Sequence, residues 1–311
     1  MSSDILKKSW PYVAIILAHI IWGLNFLVAK LTLAEFPPMT LAFLRFFLAT
    51  LLLVPFLLAE KKIKIEKVDL PKLICVGILM ASLNIAFFYM GLSRTTVIDA
   101  SVLTMVIPII SVLGGWVILR EKVYSANLIG IILGLGGTIA VIGIPLLFLG
   151  VQISASMMLG NFLIILASVS WVSGAILSKT ICKKYSTLII TTAIFLTGAV
   201  TFLIPALLEY LQNPGWISQV TYLGIFGLVF ITIGASICSY FLFEWGLARV
   251  GVIKADLFQY IEPAVAVTLG VLILNEQLRF SFIIGALLIA LGVYLGTLAR
   301  EKHKHHKAHR T

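Results

Sequence analysis

Two stretches decide the fold: residues 91–123, GLSRTTVIDASVLTMVIPIISVLGGWVILREKV, and residues 246–278, GLARVGVIKADLFQYIEPAVAVTLGVLILNEQL. Laid over one another at a shift of 155, they pair Gly91, Leu92 and Arg94 with Gly246, Leu247 and Arg249. The same shift pairs Ala100 with Ala255, Pro108 with Pro263, Gly115 with Gly270 and Glu121 with Glu276. Continued to Gly137 and Gly292, 16 of 47 positions are identical. Apolar coincidence accounts for the Val and Leu matches but not for Pro, Arg, Glu and Gly in register, so the chain carries an internal repeat. A shift of 149 aligns the earlier part, Trp22 with Trp171 and Lys30 with Lys179, leaving a six-residue insertion in the second half.

The repeat is made of hydrocarbon-soluble material. Of 311 residues, 60% are hydrophobic and 12% charged, and the mean hydropathy is +1.10. A soluble chain is about half apolar and a quarter charged. A helix crosses the roughly 30 Å of hydrocarbon with about 20 apolar residues. Runs of that length fall at about 11–33, 40–59, 72–92, 97–119, 126–146, 157–178, 187–208, 220–243, 254–274 and 280–299. They are too long and too evenly apolar for barrel strands, and in lipid every backbone amide must be bonded within its own segment. The fold class is therefore all-α and integral to the membrane: ten transmembrane helices as two inverted five-helix repeats.

Charge placement sets the orientation. Alternate connections hold 19 of the 23 cations, the other connections hold only Arg94 and Arg279, and Lys30 and Arg45 fall inside spans. The positive-inside rule then puts both termini in the cytoplasm. An odd number of spans per half makes the copies enter the membrane from opposite sides, an architecture of transporters with the site at the repeat interface. The expected divisions are 1–10, a cytoplasmic lead segment; 11–150 and 151–299, the repeats; and 300–311, a basic cytoplasmic tail. Charge placed almost wholly in the connections makes lipid, not nucleic acid, the expected partner of the net +10. Cys75, Cys182 and Cys238 are too scattered for a metal site or a disulfide framework, and neither a metal nor any other cofactor is expected.

The repeated unit resembles the EamA domain of the drug/metabolite transporter superfamily, in its ten-helix form with two such domains. The resemblance rests on Trp22-Gly23-x-Asn25-Phe26, on Arg45-Phe46, and on Tyr260-x-Glu262-Pro263 running to Leu274-x-Glu276. In the second half the first motif is altered to Trp171-Val172-Ser173-Gly174. The resemblance implies secondary transport or export of amino acids, other metabolites or drugs in the cell membrane, without ATP.

Ionisable groups inside spans are functional candidates because a central charge costs about 2.5–3.5 kcal/mol to insert. Glu262 lies near mid-depth beside Pro263, and its repeat mate is Ile107, so the scaffold itself needs no carboxylate there. It reads as a proton or substrate-ammonium site; the alternative is a hydrogen-bonded glutamic acid. His19 is the candidate to join it in proton coupling, against a satisfied structural histidine. Trp22 and Trp171 are expected to wall a central cavity between the first, third, fourth, sixth, eighth and ninth spans. Asn25, Asn84, Gln259 and Tyr260 are further substrate-binding candidates, with interhelical bonding as their alternative.

Elsewhere structural readings prevail. Lys30 and Arg45 are expected to snorkel or to pair with Glu35, with attraction of an anionic group as the alternative, and Glu244 is expected to pair with Arg249. Asp256 is expected to neutralise Lys254 or Arg249, and Glu121 and Glu276 to cap the helices that follow them. The glycines from Gly130 to Gly137 and from Gly285 to Gly296 are expected to pack the fifth and tenth spans together. The tail from His303 to Lys307 reads as a lipid-attracted basic segment rather than a metal site.

The chain has no Walker, GxSxG or HExxH motif, and its longest hydrophilic connection, Glu60–Lys72, has no room for a catalytic domain. No catalytic residue is assigned. The expected function is gradient-driven alternating access for a small-molecule substrate, with protons as a candidate second cargo, by a monomer or homodimer. The rivals are a membrane-embedded enzyme acting on a lipid-linked substrate and a non-transporting membrane subunit.

Overall fold

The structure, a computed structural model, describes residues 2–60, 65–119, 129, 132–133, 136–137, 154–252, 255, 257–277, 280, 283–288 and 290–292. Its long helices are α1 (Ser2–Thr32), α2 (Pro38–Ala59), α3 (Leu70–Leu92), α4 (Val97–Leu103 continuing through Thr104–Val106 and Ile107–Leu119), α5 (Ala155–Ile181), α6 (Thr187–Gln212), α7 (Tyr222–Val250) and α8 (Leu257–Tyr260 continuing through Ile261–Leu274). They correspond to the first four expected spans and to the sixth through ninth. Residues 283–288 and 290–292 are helical within the tenth. Of the fifth span only residues 129, 132–133 and 136–137 are described, and they are helical; most of its glycine packing, Glu121, Lys254, Asp256 and the tail lie outside the described residues.

Hydroxyl caps start four of these helices. The side chains of Thr96, Ser154, Ser186 and Thr221 accept from amides two or three residues on, supplying donors of the first turn with the acceptor they lack. Outward-facing Leu51, Phe56, Leu203 and Ile204 stay exposed, as lipid-facing residues should. Inward, α2 packs along α6, and the repeat mates Phe46 and Phe195 meet with ring centroids 5.6 Å apart.

Pairs of equivalent contacts show that the halves are inverted. Lys30, near the end of α1, gives its ammonium to the carbonyls of Leu92, which ends α3, and of Thr95 just beyond it, at 2.7 Å each. Its mate Lys179, near the end of α5, does the same to Leu247 and Ala248 of α7 at 2.8 and 2.9 Å. A cation suits the orphan carbonyls of a helix C-terminus. Thr95, beside the end of α1, bonds Asn161 near the start of α5. The end of α5 in turn reaches the end of α7, whose Gly246 lies against the Pro11 carbonyl near the start of α1. Helices α1 and α5 therefore run antiparallel. Lys30 thus neither snorkels nor pairs with Glu35; the helix end of α3 offers it carbonyls inside the protein, and Glu35 instead bonds Thr221 at 2.7 and 2.8 Å.

Carboxylates repeat the pattern. Glu209, at the end of α6, accepts from the Met39 and Thr40 amides that open α2, and its mate Glu60, at the end of α2, accepts from Ser186 at the start of α6. Glu276 shows a cap that the sequence reading did not foresee: it accepts from the Val97 and Ile98 amides that open α4, at 2.9 Å each. Negative charge is stabilised at that positive helix end wherever in the sequence it comes from.

On the face where α1 begins, Asp69 accepts from Lys184 at 2.5 Å and from Tyr185 at 2.7 Å, and Lys184 also reaches Glu66 at 2.6 Å. The Lys184 ammonium first, and then the Tyr185 hydroxyl, hold the Asp69 carboxyl below the ordinary carboxylate range. A lowered carboxyl pKa contributes above its unfolded value and is lost as pH falls through the folded one. This clasp therefore holds at neutral pH and opens in acid. The protection factors of the amides of residues 65–69, measured against the intrinsic exchange rate at each pH, are expected to fall in Asp69→Asn at neutral pH, and in the wild type on acidification through the lowered range of Asp69. Equal protection in the variant and the wild type at neutral pH would show that the clasp does not order this connection.

Candidate functional site: a cavity between the repeats

The halves enclose a cavity with about 560 Å³ of empty space, its open mouth included. Helix α1 contributes Trp22, Asn25 and Phe26, and α5 contributes Ala167, Ser168 and Trp171 from the inverted copy. Asn84, Ile85 and Phe88 come from α3, Thr104 and Ile107 from α4, Tyr240 from α7, and Gln259 and Glu262 from α8. These are the six expected helices. Arg45 of α2 completes the wall.

Repeat mates form the aromatic side. Trp22 and Trp171 meet edge to face at 5.1 Å, and Tyr240 stands edge-on to both at 5.7 and 5.6 Å, a favoured aromatic geometry. The backbone anchors them. Both α3 and α7 widen at mid-length into π segments, Ile78–Leu83 and Phe230–Cys238. A widened turn breaks the regular ladder and offers carbonyls to side chains. The mates Met80 and Ala235 take these roles: the Tyr240 hydroxyl donates to the first and the Trp22 indole to the second, at 3.0 Å each.

Glu262 and His19 are together. Oε1 of Glu262 lies 2.7 Å from Nδ1 of His19, with both side chains buried. On the other edge of the ring, Nε2 lies 3.3 Å from the carbonyl of Ala255. A carbonyl only accepts, so Nε2 carries a hydrogen and a single proton remains for the Nδ1–Oε1 contact. The pair is either imidazolium with carboxylate or neutral imidazole with carboxylic acid. Gln259 also bonds the Glu262 carboxyl. Close approach of α1 to α8 requires Gly23, where a Cβ would sit 2.8 Å from Val265 Cβ and 3.1 Å from the Glu262 carbonyl oxygen.

Of the other expected site residues, Asn84 lines the cavity while its amide donates to the Ala167 carbonyl at 2.9 Å, and the Asn25 side-chain oxygen is buried without a partner. Tyr260 closes a 3-10 turn directly before the α-helical run through Pro263, as Thr104–Val106 does before Pro108, but its side chain lies outside the described residues. His19 is not on the cavity wall; Glu262 stands between it and the space.

Two expectations fail. Arg45 does not snorkel; it is 1% exposed, and its guanidinium donates to Ser236 at 2.8 Å and to the Tyr89 hydroxyl at 2.9 Å. The widened turn of α7 brings Ser236 against it. Glu244 does not pair with Arg249, because its side chain turns inward to accept from Ser178 at 2.8 Å while Arg249 lies over Trp245. Thr104, Ser168 and Tyr240 are polar residues of the cavity that sequence reasoning missed, and Arg45 is one that it placed toward the end of a span and not at the cavity. For Arg45 a signal was present: like Glu262, it is ionisable where its repeat mate, Ile194, is apolar.

Known proteins match this architecture along nearly its whole length. The chain is 25% identical over 292 residues to the uncharacterized transporter YoaV of Bacillus subtilis, covering 93% of this chain and 97% of that protein. It is 28% identical to an uncharacterized transporter of Archaeoglobus fulgidus, covering 93% and 98%. A probable amino-acid metabolite efflux pump of Escherichia coli is 26% identical, covering 90% and 92%. A solved crystal structure shares the fold with a TM-score of 0.66 at 18% identity, over 94% of this chain and 98% of that one. The EamA-like transporter family itself matches residues 9–143 and 158–298, one match for each inverted half, and the chain belongs to that family.

Proposed function

We propose that this membrane transporter is a gradient-driven carrier whose repeats, 11–150 and 151–299, rock about the central cavity and export small metabolites such as amino acids or drug-like compounds. The observation that carries the proposal is the Glu262–His19 pair at the cavity wall: one buried proton shared between two groups, one of which faces the substrate space. A proton arriving at Glu262 changes the charge that the substrate meets, which couples the two without ATP. Trp22, Trp171, Asn25, Asn84, Gln259 and Tyr260 would surround the substrate, with both termini in the cytoplasm of a cell whose plasma membrane holds the protein. The probable amino-acid metabolite efflux pump among its relatives supports the choice of cargo.

The test is counterflow. Proteoliposomes containing the full chain are loaded with an unlabelled amino acid mixture and diluted into each labelled amino acid. Transient accumulation of label, faster with an inward-acid gradient in one orientation, is the expected result. Label entry no faster than in empty liposomes across the mixture and a panel of toxic analogues would end the proposal.

A further inference from the structure

We infer that Arg45 is the seat of an anionic group on the substrate, so that the cavity selects acids over the matching amides and amines; this rests on the carrier reading above. Arginine keeps its charge in proteins, and here it is buried at the cavity wall. Burying an ion is unfavourable unless a counter-charge or a full set of hydrogen bonds replaces water. Arg45 has neither. Its partners are neutral: the Ser236 hydroxyl, the Tyr89 hydroxyl and, at 3.5 Å, the Ala235 carbonyl. The faces of Phe46 and Tyr89 lie 4.9 and 5.8 Å from it. No carboxylate forms an ion pair with it among the described residues. Three contacts to a group with five N–H donors leave two donors uncommitted.

That geometry favours a planar, two-oxygen anion. A guanidinium edge grips a carboxylate with two parallel bonds, and such charge-assisted pairs are about twice as strong as neutral ones. The neighbouring orphan points the same way. Asn25 is 5% exposed, lines the same cavity, and its side-chain oxygen has no partner, so it calls for a donor from the ligand. The site thus asks for an acid that also carries an N–H or O–H group. Helix α2 supplies the charge from a position whose repeat mate is Ile194, so the anion seat exists once, in the first half only.

The test uses the full chain in nanodiscs and matched pairs: each standard amino acid against its carboxamide and its decarboxylated amine. Thermal unfolding reads binding. The acid members are expected to raise the unfolding temperature, and the amides and amines to leave it unchanged. Arg45→Lys keeps the preference for acids with about tenfold weaker binding, since the charge stays but the fork is lost. Arg45→Gln abolishes the acid response. Tyr89→Phe, which removes a neutral partner and spares the charge, keeps the preference; if Arg45 served only to tie α2 to α3 and α7, Tyr89→Phe and Arg45→Gln would behave alike. Equal shifts from acids and amides, an acid response surviving in Arg45→Gln, or no response to any acid would each overturn the inference. Counterflow with the same panel separates it from the reading beneath: acid binding through Arg45 without flux sinks the carrier, whereas flux of amines that is indifferent to Arg45 sinks the anion seat alone.

Discussion

Glu262→Gln is expected to abolish proton-driven accumulation while leaving downhill exchange of substrate intact. Glutamine has the shape of the acid and still bonds His19, so the 2.7 Å contact and the packing of α1 on α8 survive. What it lacks is a proton to give up. For one proton per substrate, each pH unit of gradient is worth about 1.4 kcal/mol, a tenfold accumulation. A gradient of about two units should therefore concentrate substrate about 100-fold in the wild type and leave the variant near unity. The measurement is labelled-substrate accumulation in proteoliposomes against an imposed pH step, with counterflow as the control for a folded protein. Full accumulation by Glu262→Gln would take Glu262 out of the coupling.

The second large effect belongs to a residue with no side chain. Gly23→Ala places a methyl 2.8 Å from Val265 Cβ, a separation that real Cβ atoms essentially never show, and 3.1 Å from the Glu262 carbonyl oxygen, tighter than most. The backbone oxygen cannot swing aside, so α1 must lift from α8. Overpacking of this kind costs about 1–3 kcal/mol, and Gly23→Val should cost more. His19 lies one turn before Gly23 on α1, so the same displacement strains its bond to Glu262. Both unfolding resistance and pH-driven accumulation are expected to fall together. Gly234→Ala is the contrast, since a Cβ there finds no neighbour nearer than 3.5 Å and should be neutral or stabilising. A Gly23→Ala protein as resistant to unfolding as the wild type would mean that the close crossing is dispensable.

The inverted halves were legible because duplication leaves residue types in register, and the pairing of Lys30 with Lys179 and of Trp22 with Trp171 follows from the shift alone. Glu262 was legible because it breaks that register with a charge. The Arg45 environment was not: a count of residues from the end of a span gives depth but not direction, and the partner that holds Arg45, Ser236, sits in a π segment that helical periodicity does not reveal. The cap made by Glu276 went unforeseen for a related reason. Its partners lie 178 and 179 residues away, and sequence proximity carries no information about a helix end that folding brings alongside.

The two lysine ties, Lys30 on Leu92 and Lys179 on Leu247, differ by only 0.1 Å and sit at opposite faces. Each tie joins two helices of one repeat, so halves that rock as proposed carry it along intact. The ammonium acts as a rivet that keeps each half stiff, and movement falls to the seam between the halves. What opening costs then lies in that seam and not in the ties.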